Sequence, residues 1–167
     1  MRAGFAPGMV LAGLGAAGLV LVLDQAAKLA MLDRFGALPP EERIITVAPF
    51  LNLALVNNHG VTFGLFNTGG AGTAMIFSAV ALAIVAGLLW SLGRTRRRLN
   101  AVATGMIIGG AIGNLLDRVR LGAVIDFLDF YIGSWHWYVF NIADAAICVG
   151  VAILLLDSLL AGSESPR

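Results

Sequence analysis

Two carboxylates in the second half of the chain stand among apolar neighbours: Asp126, in Gly122-Ala123-Val124-Ile125-Asp126-Phe127, and Asp144, in Phe140-Asn141-Ile142-Ala143-Asp144-Ala145. If such groups share a site of low dielectric, their charges repel, one pKa rises and the pair keeps one proton near neutral pH. The ionised member then activates a water while the protonated member polarises a peptide carbonyl, which is hydrolysis without a metal or a covalent intermediate. Spacing leaves other uses open, because buried carboxylates also serve proton relays and structural pairs. Other chemistry has less to draw on. No Ser-Lys or Ser-His-Asp arrangement stands out, and His59 and His136 lack the carboxylate or cysteine spacing of a zinc site. Neither a metal centre nor a cofactor is expected.

A second group of polar residues sits at helical spacing. Asp24 and Lys28 are placed for an i, i+4 pair that lessens the cost of burying both charges, a structural role. Gly105, Gly109 and Gly113 fall four apart and offer a small-residue face for close helix contact, and Gly110, Asn114 and Arg118 form the neighbouring stripe. One stripe brings backbones together; the other presents an amide and a cation to whatever lies between the helices.

The elements that carry these residues are membrane helices. With 59% hydrophobic residues, 13% charged and a mean hydropathy of +0.88, the composition lies outside the range of water-soluble domains, where about 25% of residues are charged. A chain of 167 residues has room for one domain, and a net charge of +1 points to no nucleic-acid partner. The one cysteine, Cys148, cannot form an intrachain disulfide and lies within an apolar run. Runs of bilayer-spanning length cover about 9–32, 71–92, 99–116 and 138–160, so the fold class is an all-α membrane protein of four transmembrane helices. The first run continues past the small residues Ala16-Ala17-Gly18 and is longer than the core of a cleaved signal, so it is expected to stay as an anchor.

Orientation follows from Arg94-Thr95-Arg96-Arg97-Arg98, a short basic connection that the positive-inside rule assigns to the cytoplasm. Both termini are then cytoplasmic, and the long connections 33–70 and 117–137 lie outside. Within the first, Ile44-Ile45-Thr46-Val47 and Phe50-Leu51-Asn52-Leu53-Ala54-Leu55-Val56 predict short strands and a small extracytoplasmic β-sheet. The second, with Phe127, Phe130, Tyr131, Trp135, Trp137 and Tyr138, is an interfacial segment. This topology places Asp24 and Lys28, then Asn114, Asp117 and Arg118, then Asn141 and Asp144 at one outer level, beside loops holding Asn58 and Asp126. Each ionisable group in a bilayer costs about 2.5–3.5 kcal/mol on insertion scales, so such a gathering marks a functional site.

These stretches resemble the motifs of the bacterial lipoprotein signal peptidase family, also called signal peptidase II. The resemblance rests on Asp24-Gln25-Ala26-Ala27-Lys28, Asn58-His59-Gly60-Val61-Thr62-Phe63, Gly109-Gly110-Ala111-Ile112-Gly113-Asn114-Leu115-Leu116-Asp117-Arg118, Val124-Ile125-Asp126-Phe127 and Phe140-Asn141-Ile142-Ala143-Asp144-Ala145, in that order on four spans. It implies an intramembrane aspartyl endopeptidase of the bacterial inner membrane that cuts diacylglyceryl-modified prolipoproteins before the lipidated cysteine, with Asp126 and Asp144 as catalytic pair. By the same resemblance Asn58, Gly110, Asn114, Arg118 and Asn141 line the pocket for substrate and inhibitor, globomycin is the expected inhibitor, and Asp24 and Lys28 are support. Membrane lipid is the other expected partner. Val61-Thr62 departs from the two small residues usual in the family, which touches the shape of that loop. Two other classes, a proton-coupled transporter using Asp144 and a membrane scaffold, find less support. There are no broken helices or repeated halves, and a scaffold has no need of two carboxylates at the membrane.

Overall fold

Apolar length makes the four long helices. In the computed structural model, which describes residues 6–60 and 71–163, these are α1 (Pro7–Phe35), α2 (Ala71–Leu92), α3 (Arg98–Leu121) and α4 (Ile142–Ser163). Each contains a stretch long and apolar enough to cross a bilayer, with mean hydropathies of 1.8, 2.3, 1.5 and 2.1 in chain order. Pro7 opens α1 where its missing N–H costs nothing, and Gly122 closes α3 in the left-handed conformation, φ 73°, with its N–H on Arg118 O at 3.0 Å.

The helix of lowest hydropathy is the axis of the bundle. The span within α3 is 61% buried, against 11–17% for the other spans, because its residues meet protein where theirs meet solvent or lipid. Its glycines make this possible. A Cβ at Gly105 would lie 2.0 Å from Gly13 O, and one at Gly109 2.4 Å from Ala17 O, so α1 and α3 run with their backbones in contact. The buried residues of α1, Gly13, Ala17, Val20, Asp24, Lys28, Met31 and Phe35, advance in steps of four and three along one face of the helix. On the other side of α3, a Cβ at Gly110 would lie 2.5 Å from Ala143 O, which brings α4 equally close. At the basic end, α3 and α4 are tied by the Arg97–Asp157 ion pair and by Asn100 Nδ2 donating to Asp157 Oδ2 at 2.8 Å.

The opposite end carries an antiparallel sheet in the order β1 (Ile44–Ala48), β2 (Leu51–Asn58), β3 (Val124–Ile132), β4 (Trp135–His136). Both long connections therefore build it. The aromatic segment read from sequence as interfacial supplies a central strand as well as exposed rings, since Phe130 stacks between Phe50 and Phe140 while Trp135, Trp137 and Tyr138 stay exposed. A cluster of Met31, Phe35, Leu55, Ile125 and Phe127 fastens the sheet to the end of α1.

The two largest departures from the apolar runs are the end of α3 and the start of α4. α3 continues to Leu121 because Asp117 is neutralised inside the protein and need not leave the helix. α4 begins only at Ile142, because Phe140 is held by backbone hydrogen bonds to β3.

The β2–β3 register contains one shift. Leu53 pairs with Leu128 but Val56 with Asp126, so two residues of β2, Ala54 and Leu55, oppose the single Phe127. Asn52 and Asn58, six residues apart, would share a face in a regular strand. The bulge instead puts Asn52 opposite Asp129 and Asn58 opposite Val124, on the face that carries Asp126.

Candidate active site

Asp126 projects from β3 and is 2% exposed. Its Oδ2 accepts Asn58 Nδ2 at 2.8 Å and its Oδ1 accepts Asn141 Nδ2 at 2.7 Å. Asn58 reaches it along the sheet diagonal, the neighbour two residues on from its own partner, which the bulge makes available. Burial pushes the Asp126 pKa up from 3.8 to about 6; the Asn58 and Asn141 hydrogen bonds and the Lys28 charge pull down, while the Asp144 charge adds to the rise.

Asp144 enters from the first turn of α4. Asn141 and Asp144 form a reciprocal cap at the start of that helix: Asp144 N–H donates to Asn141 Oδ1 at 2.9 Å, and Asn141 N–H donates back to Asp144 Oδ2 at 3.3 Å. Capping thus fixes both side chains by local sequence, Asn-x-x-Asp. The remaining oxygen, Asp144 Oδ1, accepts Asn114 Nδ2 from α3 at 2.7 Å. One fully buried residue, Asn141, therefore joins both carboxylates, donating to Asp126 and capping with Asp144.

Beneath this layer lies a charged one. Lys28 Nζ stands 2.8 Å from Asp24 Oδ2 and 2.7 Å from Asp117 Oδ2, and donates to Asn114 Oδ1 at 2.9 Å. Asp24 Oδ1 also accepts Ala143 N–H at 2.9 Å, and Asp117 Oδ2 accepts Ile125 N–H at 3.2 Å. The layer so binds α1 and α3 to the starts of α4 and β3. Gly113 leaves room for it, since a Cβ there would lie 2.6 Å from Asp24 Oδ2.

The residues singled out from sequence thus divide. Asp24, Lys28, Asn58, Asn114, Asp126, Asn141 and Asp144 form one continuous hydrogen-bonded network. Arg118 stands beside it, its Nη1 on Asn114 O at 3.3 Å and its guanidinium 5.5 Å from the Phe77 ring centre. Asn114 and Arg118 also line a cavity of about 250 Å³ between α2, α3 and α4 whose other walls are apolar, among them Phe77, Val80, Ile84, Ile107 and Ile147. Gly110 does not line it; Gly110 is buried against α4. Of the loop motif, Asn58, His59 and Gly60 are described, with His59 exposed, whereas Val61-Thr62-Phe63 lies outside the described residues.

Sequence reasoning gave too little weight to Asp117 and Gln25. Asp117 is the second carboxylate on Lys28, and Gln25 Nε2 donates to Asp117 Oδ1 at 3.0 Å. The signal was present for Asp117, three residues after Asn114 and hence on the same side of α3. A separate network occupies the other face of the sheet, where Asp129 accepts Asn52 Nδ2 at 2.9 Å and meets His136 Nδ1 at 2.9 Å. Burial acts to raise the Asp129 pKa, but those partners bring it below the ordinary carboxylate value.

Comparison with known proteins agrees along the whole bundle. The lipoprotein signal peptidase of Methylorubrum extorquens (strain PA1) is 46% identical over 146 residues, 87% of this chain and 84% of that one. That of Beijerinckia indica subsp. indica is 48% identical over 150 residues, 89% and 87% of the two chains. Among solved structures, a bacterial membrane enzyme determined in meso at 2.3 Å matches with a TM-score of 0.78 at 25% identity, covering 93% of this chain and 92% of that chain. Another, at 1.9 Å, gives 0.74 at 27% identity, with 88% and 92% covered. Residues 16–160 match the family described as signal peptidase (SPase) II, a stretch that begins in the first helix, ends in the last and holds every member of the network above. The chain therefore belongs to the signal peptidase II family, and with four helices able to cross a bilayer it is a membrane-embedded protease.

Proposed function

We propose that this chain, folded as a single membrane domain, is an aspartyl endopeptidase that removes the signal peptide from diacylglyceryl-modified prolipoproteins, cutting just before the lipidated cysteine, with Asp126 and Asp144 as the catalytic pair. The observation that carries the reading is Asn141, a fully buried amide that donates to one carboxylate and forms a reciprocal helix cap with the other. One member of the pair keeps a proton and polarises the scissile carbonyl while the other activates water, and the burial that raises the Asp126 pKa to about 6 favours such a shared proton.

The relatives' names as lipoprotein signal peptidases support the substrate class. Physical chemistry supports it too, since a diacylglyceryl group stays in lipid and holds the scissile bond near the membrane surface. The cavity ending at Asn114 and Arg118 offers an apolar wall to a signal-peptide segment and polar groups to its backbone. Asn58 and Asn141 would act from the side of the catalytic pair, and Gly110 by letting α4 approach. Globomycin is the expected inhibitor. The basic connection at Arg94–Arg98 supports a bacterial inner-membrane location with both termini cytoplasmic and the active site near the outer leaflet.

The test incubates the purified protein with a diacylated precursor, with and without globomycin and a chelator. Cleavage that globomycin blocks and the chelator spares is expected. Asp126→Asn and Asp144→Asn should each abolish cleavage while the protein still inserts and folds; full activity in either would remove that residue from the chemistry.

A further inference from the structure

Three carboxamides donate to the two aspartates, and in each the oxygen is held by a different donor. Asn58 Oδ1 accepts Gly60 N–H at 2.9 Å, Asn141 Oδ1 accepts Asp144 N–H at 2.9 Å, and Asn114 Oδ1 accepts Lys28 Nζ at 2.9 Å. A carboxamide whose oxygen is tied turns its NH2 the other way. The freed NH2 groups go to Asp126 Oδ2 from Asn58, to Asp126 Oδ1 from Asn141, and to Asp144 Oδ1 from Asn114. Backbone amides hold the first two orientations. The third depends on a side chain, and a charged one.

We propose that Lys28 is a positioning residue for the catalytic pair: its ammonium pins the Asn114 carboxamide so that the NH2, and not the oxygen, faces Asp144. The proposal rests on the assignment of Asp126 and Asp144 as that pair, and it goes beyond a structural Asp24–Lys28 pair. Lys28 is suited to the task because it cannot turn. It is 2% exposed, and its hydrogens are taken up by Asp24, Asp117 and Asn114. Asn141 Nδ2 also approaches Asn114 Oδ1, at 3.1 Å, but its hydrogens are shared with Asp126 Oδ1 at 2.7 Å and Ile125 O at 3.3 Å. Lys28 is thus the shorter and the charged donor to Asn114. If the carboxamide turned over, its oxygen would meet the Asp144 carboxylate, acceptor against acceptor. The charged groups around Lys28 are Asp24 on α1, Asp117 on α3, Asp144 on α4 and Asp126 on β3. Its positive charge helps hold the pKa of Asp126 down.

Lys28→Met alone leaves Asp24 and Asp117 buried without their cation, a change expected to unfold the protein. The informative variant is Lys28→Met combined with Asp24→Asn, which removes one charge of each sign, compared with Asp24→Asn alone. In folded, inserted protein the double variant should lower kcat roughly 10- to 100-fold relative to Asp24→Asn, as loss of an outer-shell orienting group does elsewhere, with a smaller change in KM. The pH profile of kcat should also move to higher pH, because the ammonium no longer favours ionised carboxylates. In an Asn114→Ala background the same loss of Lys28 should leave kcat at its optimal pH nearly unchanged while still lowering the melting temperature, since a residue acting through Asn114 has nothing left to position. Equal fold-losses of kcat with and without Asn114, or a kcat and pH profile matching Asp24→Asn, would reduce Lys28 to a structural ion and overturn the proposal. Asp126→Asn and Asp144→Asn in the same assay separate the two levels. If they are inactive while Lys28 variants change only stability, the pinning fails alone; if they cleave, the catalytic assignment fails and the proposal with it.

Discussion

Asp126 gathers the physical tension of the site into one side chain. Its carboxyl is buried on a strand, close enough to Asp144 to feel its charge, and two amides offset part of that cost. Because its pKa rises from 3.8 to about 6 on folding, the native state favours its protonated form. The stabilisation this gives is fully present below about pH 4 and is lost as pH rises through about 6, at most about 3 kcal/mol in total. The wild type should therefore lose melting temperature relative to Asp126→Asn between about pH 4 and 7. Asn58→Ala removes an N–H that pulls the Asp126 pKa down, so the loss should shift to higher pH in that variant. Thermal unfolding in detergent across that range checks both; identical pH dependence in all three proteins would contradict the environment described for Asp126.

Helix spacing decides whether the layers meet. The α1–α3 contact is backbone against backbone, and the charged layer of Asp24, Lys28 and Asp117 lies along the same seam. A Cβ at Gly109 would stand 2.4 Å from Ala17 O, so Gly109→Ala must part the helices; overpacking of this kind costs about 1–3 kcal/mol. Gly15 and Gly18 lie on the same α1 but have nothing within 4 Å of an added Cβ. There the substitution to Ala should be neutral or stabilise by up to about 1 kcal/mol, through helix propensity alone. Melting temperatures of Gly109→Ala, Gly15→Ala and Gly18→Ala test the contrast, and cleavage should fall only in the first. The same reasoning applies to Gly110, whose close approach to Ala143 O sets how near α4, and so Asp144, lies to α3.

At the scale of the molecule, the sheet and the polar network occupy one end of the bundle, and the basic connection occupies the other. If the basic end is cytoplasmic, a membrane-impermeant thiol reagent applied to spheroplasts should label Trp135→Cys, and it should leave Arg96→Cys unlabelled until the membrane is broken, both in a Cys148→Ala background. The reverse pattern would invert the proposed orientation and place the active site at the inner leaflet. The aromatic residues at the sheet end fit a position at the headgroups, where Trp135, Trp137 and Tyr138 expose more than half of their surface.

The sequence by itself determined the membrane class, the long helices and the candidate site residues, because these depend on local quantities. Apolar length makes a span, and glycines four apart mark a contact face. The tertiary structure decided which of those residues meet. The bulge at Ala54 and Leu55 changes the parity of β2 and so sends Asn58 to Asp126 and Asn52 to Asp129, a consequence of pairing with a strand more than sixty residues away. Asp117 became the second carboxylate on Lys28, and Asn114 the bridge from Lys28 to Asp144, only once α1, α3 and α4 were packed. Periodicity along one helix says which residues share its face. The partners on the facing elements are set by crossing, register and close approach, and those are properties of the assembled bundle.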